Sequence, residues 1–216
     1  MNQIEELTKL FTKFPGIGPR VARRFAYFIL RSNAGYVQSL TSAMMNIQKN
    51  VRLCPVSFAY YFPDGHNTDY SPIILDQTRD HSIMMIVEKE TDIEIIEKSK
   101  FWNGNYFVLG QLAPLIDTDM EEKIRLIQLR DIIKKRAEKM SVFPGSTAGL
   151  TEIVLALATH PEGDRTAHII RTKIADLQSQ YGFHITTLGR GFSSGTEIEY
   201  SDTDTLSFAL RNRSEL

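Results

Sequence analysis

Cysteine is almost missing from this chain of 216 residues: Cys54 stands alone. No disulfide can close within the chain, and no cysteine-only zinc site can form in it. Net charge is nearly missing too, at a formal −1. The chain is therefore not a polycation, and any grip on nucleic acid has to come from local clustering. Long apolar runs are lacking, so nothing reaches membrane-spanning length. Met1-Asn2-Gln3-Ile4-Glu5-Glu6 has neither the basic nor the apolar region of a signal peptide. These absences predict a soluble protein of a reducing cytoplasm with no membrane partner.

What is present begins with a basic cluster. Residues 1–36 carry Lys9, Lys13, Arg20, Arg23, Arg24 and Arg31 against only Glu5 and Glu6, the asymmetry of a nucleic-acid footprint. The cations surround Phe14-Pro15-Gly16-Ile17-Gly18-Pro19-Arg20. Upstream, Ile4, Leu7, Leu10, Phe11 and Phe14 recur at amphipathic-helix spacing, and downstream Val21, Phe25, Phe28 and Ile29 repeat it as a second apolar face. Pro15 and Gly16 stop the first helix, Gly18 supplies a hairpin residue without a Cβ, and Pro19 suits the first turn of the second. The pattern predicts a helix-hairpin-helix.

Its chemistry follows from what a helix start exposes. Unpaired amides around Gly16 to Arg20 and the positive end of the helix dipole make an anion site, which a phosphate reaches without meeting a side chain. Arg20, Arg23, Arg24 and Arg31 share about a third of the second helix's circumference, away from Phe25 and Ile29. Gly16, Gly18, Arg20, Arg23 and Arg24 are the predicted DNA-binding residues. The plainer alternative is an αα-hairpin with a solvated arginine face. Phosphate contacts position nucleic acid without reading its sequence. The hairpin occurs once in the chain, so two subunits are expected to bring their hairpins together.

A third helix, marked by Tyr36, Leu40, Ala43, Met44 and Ile47, completes a helical unit over 1–50. Residues 51–80 are rich in turn formers, with Pro55, Pro63, Asp64, Gly65, Asn67 and Pro72 among Tyr60, Tyr61, Phe62 and Tyr70, which predicts an irregular subdomain or hairpin. His66 and His81 do not stand at structural-zinc spacing from Cys54. From Ser82 the rhythm becomes α/β. Strands are predicted at 83–87, 106–109, 153–158 and 183–188, and helices at 92–100, 119–140 and 166–181, the long one strongly charged and carrying Ile124, Ile127, Leu129, Ile132, Ile133 and Ala137. Such alternation predicts a mostly parallel sheet with helices on both faces. A loop with Gly189, Gly191, Ser193, Ser194 and Gly195 then leads to a strand at 197–200 and a helix capped by Asp202, docked on its own domain or on another subunit.

Several of these features occur in one order: PGIGPR at 15–20, Cys54-Pro55, Ile86-Val87-Glu88, Tyr106-Phe107-Val108-Leu109-Gly110, Ala158-Thr159 before Glu162-Gly163-Asp164, and the 195–200 tail. In that order the chain resembles the RecR family of bacterial recombination mediators over essentially its whole length. The resemblance implies an α/β protein with a helix-hairpin-helix domain (1–50), a zinc-finger segment (51–80), a Toprim-like domain (81–188) and a C-terminal oligomerisation segment (189–216). It also implies DNA binding in gap repair, RecO-like and RecF-like partners that help load RecA, and a homo-oligomeric clamp, a tetramer or else a dimer. By position, the family's DNA-contacting basic residues match Arg20 and Arg24; Arg23 is added from the helical wheel.

Departures from the family qualify that expectation. The family's finger has four cysteines in two close pairs, whereas here Ser57, Ser71 and Ile74 fall at the positions after Cys54. Zinc is therefore predicted lost, with packing of Tyr60, Tyr61, Phe62 and Ile74 in its place. Ala113-Pro114-Leu115 is followed by Ile116-Asp117-Thr118-Asp119 rather than the usual glycine-bearing segment, and Thr159-His160-Pro161 is a shortened connection before Glu162.

Toprim enzymes pair a glutamate after the first strand with an Asp-x-Asp after a later one to hold Mg²⁺. Glu88 matches the first, a Toprim acidic remnant, but the later strand ends in Ala158-Thr159-His160-Pro161, with Glu162 and Asp164 expected in the loop beyond. Asp117 and Asp119 suit helix capping, and His160, His168 and Cys54 lack the partners of a catalytic base or nucleophile. A non-enzymatic DNA clamp without cofactor is the prediction. The rivals are a Mg²⁺-dependent Toprim nuclease or primase, and a protein scaffold that no longer binds DNA.

Overall fold

A computed structural model of the chain describes residues 2–63, 65, 69–115, 124–140, 144, 146–189, 191–192, 195 and 197–212. It divides into two compact units, Met1–Val51 and Arg52–Leu216.

The smaller unit has three helices, α1 (Gln3–Phe11), α2 (Pro19–Arg31) and α3 (Ala34–Asn50). A capping box starts α1: Asn2 Oδ1 accepts from the Ile4 amide at 3.2 Å, and Glu5 Oε2 accepts from the Asn2 amide at 3.1 Å. Asn33 caps α3 by accepting from the Tyr36 amide at 2.8 Å. Packing departs from the apolar face expected of α2. Its fully buried residues are Ala22 and Ala26, while Val21, Phe25 and Phe28 stay 37%, 43% and 57% exposed. Phe25 meets Phe11 edge-on at 5.9 Å, and Phe28 meets Tyr36 edge-on at 5.7 Å. Three short helices have too little volume to enclose that many large side chains.

The larger unit is organised by a four-stranded sheet in the order β4-β3-β5-β6, comprising β3 (Asp80–Val87), β4 (Gly104–Val108), β5 (Glu152–Ala156) and β6 (His184–Thr187). All three pairings are parallel. Alternation along β3 sends Met84 and Ile86 to one face and Met85 and Val87 to the other. The first face is covered by α6 (Leu126–Ala137) and α7 (Pro161–Tyr181), through residues such as Leu129, Ile133, Ile170 and Ile174. The second is covered by Ile93 of α5 (Glu90–Ser99), with Ala59. Burial on both faces is what makes β3, β4 and β5 read as nearly unbroken apolar runs, whereas the edge strand β6 is mostly exposed. Arg79 ties α5 to the sheet by donating to both Glu97 carboxylate oxygens, at 3.0 and 2.5 Å, and to the Gly104 carbonyl at 3.0 Å.

Segment 52–75 joins this core. It contains the short antiparallel pair β1 (Arg52–Leu53) and β2 (Tyr60–Tyr61), then the single turn α4 (Pro72–Leu75). Cys54, Val56, Tyr61 and Ile74 pack in one cluster with the sheet's first face. The expected aromatic substitute for zinc is only half present, because Tyr60 and Phe62 are 56% and 58% exposed. Successive strand residues point to opposite sides, so Tyr61 alone of the three turns inward. Phe58 adopts a left-handed conformation (φ 54°), which costs a side-chain-bearing residue about 1–2 kcal/mol. Its ring packs on Phe107 at 5.2 Å and under the Arg125 guanidinium at 5.6 Å. Arg125 also donates to the Val108 carbonyl at 3.0 Å, and the Val108 amide to the Ser57 carbonyl at 2.8 Å.

Several expected boundaries move. The described part of the 119–140 helix is α6; Ile124 is buried but precedes it, and Ile127 points outward at 63% exposure. The tail strand expected at 197–200 is a 3₁₀ turn, Ile198–Tyr200, with the Tyr200 amide donating to the Glu197 carbonyl at 3.1 Å. No described strand lies beside it to pair with. Asp202 does cap the final helix, α8 (Thr203–Arg211), accepting from the Thr205 amide at 2.8 Å. His66, Asp117, Asp119, Ser193 and Ser194 lie outside the described residues.

The helix expected from Thr166 begins at Pro161, so Glu162 and Asp164 occupy its first turn rather than a loop. Gly163 allows this early start, since a Cβ there would lie 1.9 Å from the Ala158 carbonyl oxygen. Backbone on both sides leaves no flexible group to yield. Gly163→Ala should therefore lower the unfolding free energy by at least about 2 kcal/mol, read as a shifted urea midpoint at unchanged slope.

Candidate nucleic-acid interface

The turn between α1 and α2 is built from local bonds. The Lys13, Phe14 and Ile17 amides donate to the Leu10, Phe11 and Phe14 carbonyls, each at 3.1 Å. Gly16 sits at φ +76°, where only glycine rests without strain. Gly18 differs: it is the extended N-cap of α2 (φ −78°, ψ 166°), and a Cβ there would meet no atom within 4 Å. Neither its φ nor a steric clash requires glycine at 18, and the backbone there is open from outside. No side chain caps α2, and its first internal bond runs from the Ala22 amide to the Gly18 carbonyl at 3.0 Å. The Gly18, Arg20 and Val21 amides thus precede the hydrogen-bond ladder, at the positive end of the helix dipole.

Arg20, Arg23, Arg24 and Arg31 are all exposed, and together with Tyr27 and Phe28 they line one shallow cavity of about 500 Å³. Among the described residues none of the four forms an ion pair. The predicted residues Gly16, Gly18, Arg20, Arg23 and Arg24 therefore lie at one end of one helix, on a solvent-facing side. A sequence signal extends further than the hairpin: from Leu7 to Val51 there is no acidic residue, against seven lysines and arginines. Tyr27 escaped the sequence reading, although it lies three and four residues from three of the arginines. A second, apolar cleft of about 520 Å³ opens in the same unit, lined by Phe11, Val21, Phe25, Phe28, Ile29 and others.

The carboxyl ends of β3 and β5 lie side by side, with Val87 opposite Ala156. Glu88 follows Val87, is half-buried, and its carbonyl accepts from the Gly110 amide at 2.8 Å. Residues Leu157, Ala158 and Thr159, next along β5, bring no carboxylate. Asp164 instead lines a polar cleft of about 560 Å³ with His160, Gly189, Gly191, Asp202 and Thr205, a lining that does not include Glu88. Among the described residues, Glu88 and Asp164 thus do not share a lining.

The zinc positions fit the metal no better. Cys54, Ser57, Ser71 and Ile74 are all buried, but isoleucine has no donor atom, and the Ser57 Oγ already accepts from the Ala59 amide at 3.4 Å. His81 is buried at the start of β3, its Nδ1 2.9 Å from Asn105 Nδ2. Burial, and then the Arg136 charge, push its pKa below the ordinary value. Among the described residues no group of three His, Cys, Asp or Glu is placed to hold a metal, and no helix is long and apolar enough to cross a membrane.

Gly16 and Gly18 should respond differently to substitution. Gly16→Ala, forced to positive φ, is expected to cost about 1–2 kcal/mol, whereas Gly18→Ser supplies a favoured N-cap and should leave stability within about 0.5 kcal/mol. Thermal unfolding followed by circular dichroism distinguishes the two.

Comparison with known proteins agrees with this geometry. Residues 4–47 match the family described as RecR, helix-hairpin-helix. A recombination protein RecR from Bdellovibrio bacteriovorus is 31% identical over 217 residues, covering 100% of this chain and 98% of the relative. One from Paracoccus denitrificans is 31% identical over 215 residues, with the same coverage. With a hairpin that lies inside the matched residues, and a likeness that runs from end to end, the chain belongs to the RecR family of recombination proteins.

Proposed function

We propose that this RecR-family protein is a non-enzymatic DNA clamp acting in gap repair. The observation that carries the reading is the conjunction at the start of α2: a helix whose first amides no side chain caps, next to four exposed arginines that have no acidic partner among the described residues. Amides and guanidinium groups so placed take phosphate oxygens, the one feature every DNA sequence shares. The apolar cleft of the same unit, with Phe25 43% and Phe28 57% exposed, favours covering by a second copy, because contiguous open apolar surface marks interaction sites. Copies joined in this way would supply the second hairpin that one chain lacks. Family membership adds RecO-like and RecF-like repair proteins as partners and a tetrameric or dimeric ring as the assembly.

Against a Mg²⁺-dependent nuclease or primase stands the lone Glu88, with Leu157-Ala158-Thr159 in place of an acidic pair. A scaffold indifferent to DNA would have no use for unpaired arginines on a glycine-opened helix start.

The direct test is the salt dependence of binding. If the four arginines of one hairpin each meet a phosphate, log K for duplex should fall against log salt with a slope of roughly −3 to −4. Arg20→Ala with Arg24→Ala should weaken binding across all sequences, flatten the slope by about 2, and leave the melting temperature unchanged. Unaltered affinity in that double variant would place the footprint elsewhere. Cleavage of DNA on adding Mg²⁺ would favour the enzyme.

The packing of segment 52–75 carries a second expectation. Tyr61 and Ile74 sit with Cys54 in the hydrophobic core, so we propose that this segment holds its shape without zinc. EDTA should leave the melting temperature where it was, and elemental analysis should find far less than one zinc per chain.

A further inference from the structure

Tyr27 occupies the middle of the arginine arc. At about 100° per residue, it falls between Arg23 and Arg24 on the circumference of α2, one helical turn before Arg31. It is 43% exposed. Among the described residues its ring meets no other ring or cation, and its hydroxyl no hydrogen-bond partner. Phe28, 57% exposed, borders the same cavity beside it, held by its edge contact with Tyr36.

A phosphate grip alone does not call for an aromatic face at its centre. Solvation of a guanidinium stripe is best served by polar neighbours, and an aromatic ring left open to water among four cations forgoes the burial that usually stabilises it. Cations flanking open aromatic faces are the composition of a site for single-stranded nucleic acid, where phosphates follow the charges and an unpaired base stacks on the ring. In a duplex each base is already stacked between its neighbours, and its face is closed to a side chain.

We propose that Tyr27, with Phe28 at its edge, is a base-stacking platform that gives this hairpin a preference for single-stranded DNA. The inference rests on the phosphate-gripping reading above and adds to it a second contact, to the face of an unpaired base. Guanidinium groups at 20, 23, 24 and 31 hold the backbone to either side. Charge complementarity names the occupant: among the described residues the arc offers four positive charges without an ion-pair partner and no carboxylate in its lining, which suits a polyanion. Because the contact is to a π face, it should tolerate any base.

The test is fluorescence anisotropy of the full-length protein with three labelled probes of equal phosphate count: oligothymidylate, an abasic single strand, and a duplex. The wild type should bind oligothymidylate at least about fivefold more tightly than the abasic strand. Tyr27→Ala should abolish that difference while leaving duplex and abasic affinities unchanged, and Tyr27→Phe should retain it. Circular dichroism of each variant controls for folding, and the exposure of Tyr27 makes loss of fold an unlooked-for outcome. Equal wild-type affinity for oligothymidylate and the abasic strand would overturn the platform while sparing the phosphate grip. An equal effect of Tyr27→Ala on all three probes would overturn it as well. Failure of the wild type to bind any of the probes would remove the phosphate grip and, with it, the platform.

Discussion

A parallel sheet has to be covered on both faces, and that requirement shapes the larger unit from Arg52 onward. Two helices, α6 and α7, close one face, and α5 closes part of the other. Segment 52–75 supplies Cys54, Val56, Tyr61 and Ile74 to the first face and Ala59 to the second. The sheet thereby gives the segment apolar surface to pack on, and four of its residues are buried there. Arg125, the residue just before α6, reinforces the attachment by lying over Phe58 and bonding to the β4 backbone.

The smaller unit obeys the opposite rule. Its three helices bury only Ala22 and Ala26 completely, and both its aromatic side chains and its arginines remain open. A protein surface of this kind is costly in water unless something covers it. The two open faces suit different occupants: the apolar cleft suits another apolar surface, and the arginine arc suits a polyanion. Gly18, the N-cap of α2, has open space where a Cβ would stand.

Much of the candidate site was readable from residue order. The hairpin is specified by six or so consecutive residues acting on their own backbone, and the arginine arc follows from helical period alone, so both appear in the structure where the spacing put them. The parallel sheet was readable for a related reason: strands buried on both sides must be apolar throughout. Tyr27 was overlooked because an aromatic residue at helical spacing reads as core until its exposure is known. The inward choice of Tyr61 over Tyr60 and Phe62 depended on a strand phase that the irregular composition of 51–80 conceals.

By itself, then, the order of residues determined those features whose forces are local: the caps at Asn2, Asn33 and Asp202, the Gly16 turn, and the acid-free basic helix. Only tertiary structure decided what covers what. It set Phe58 in a left-handed backbone under Arg125, began α7 at Pro161 by seating Gly163 against the Ala158 carbonyl, and made 198–200 a 3₁₀ turn with no strand beside it among the described residues. The physical reason is the range of the interaction: a helix closes its own hydrogen bonds within four residues, whereas a strand, a buried face or a close backbone approach exists only when a distant part of the chain arrives to complete it.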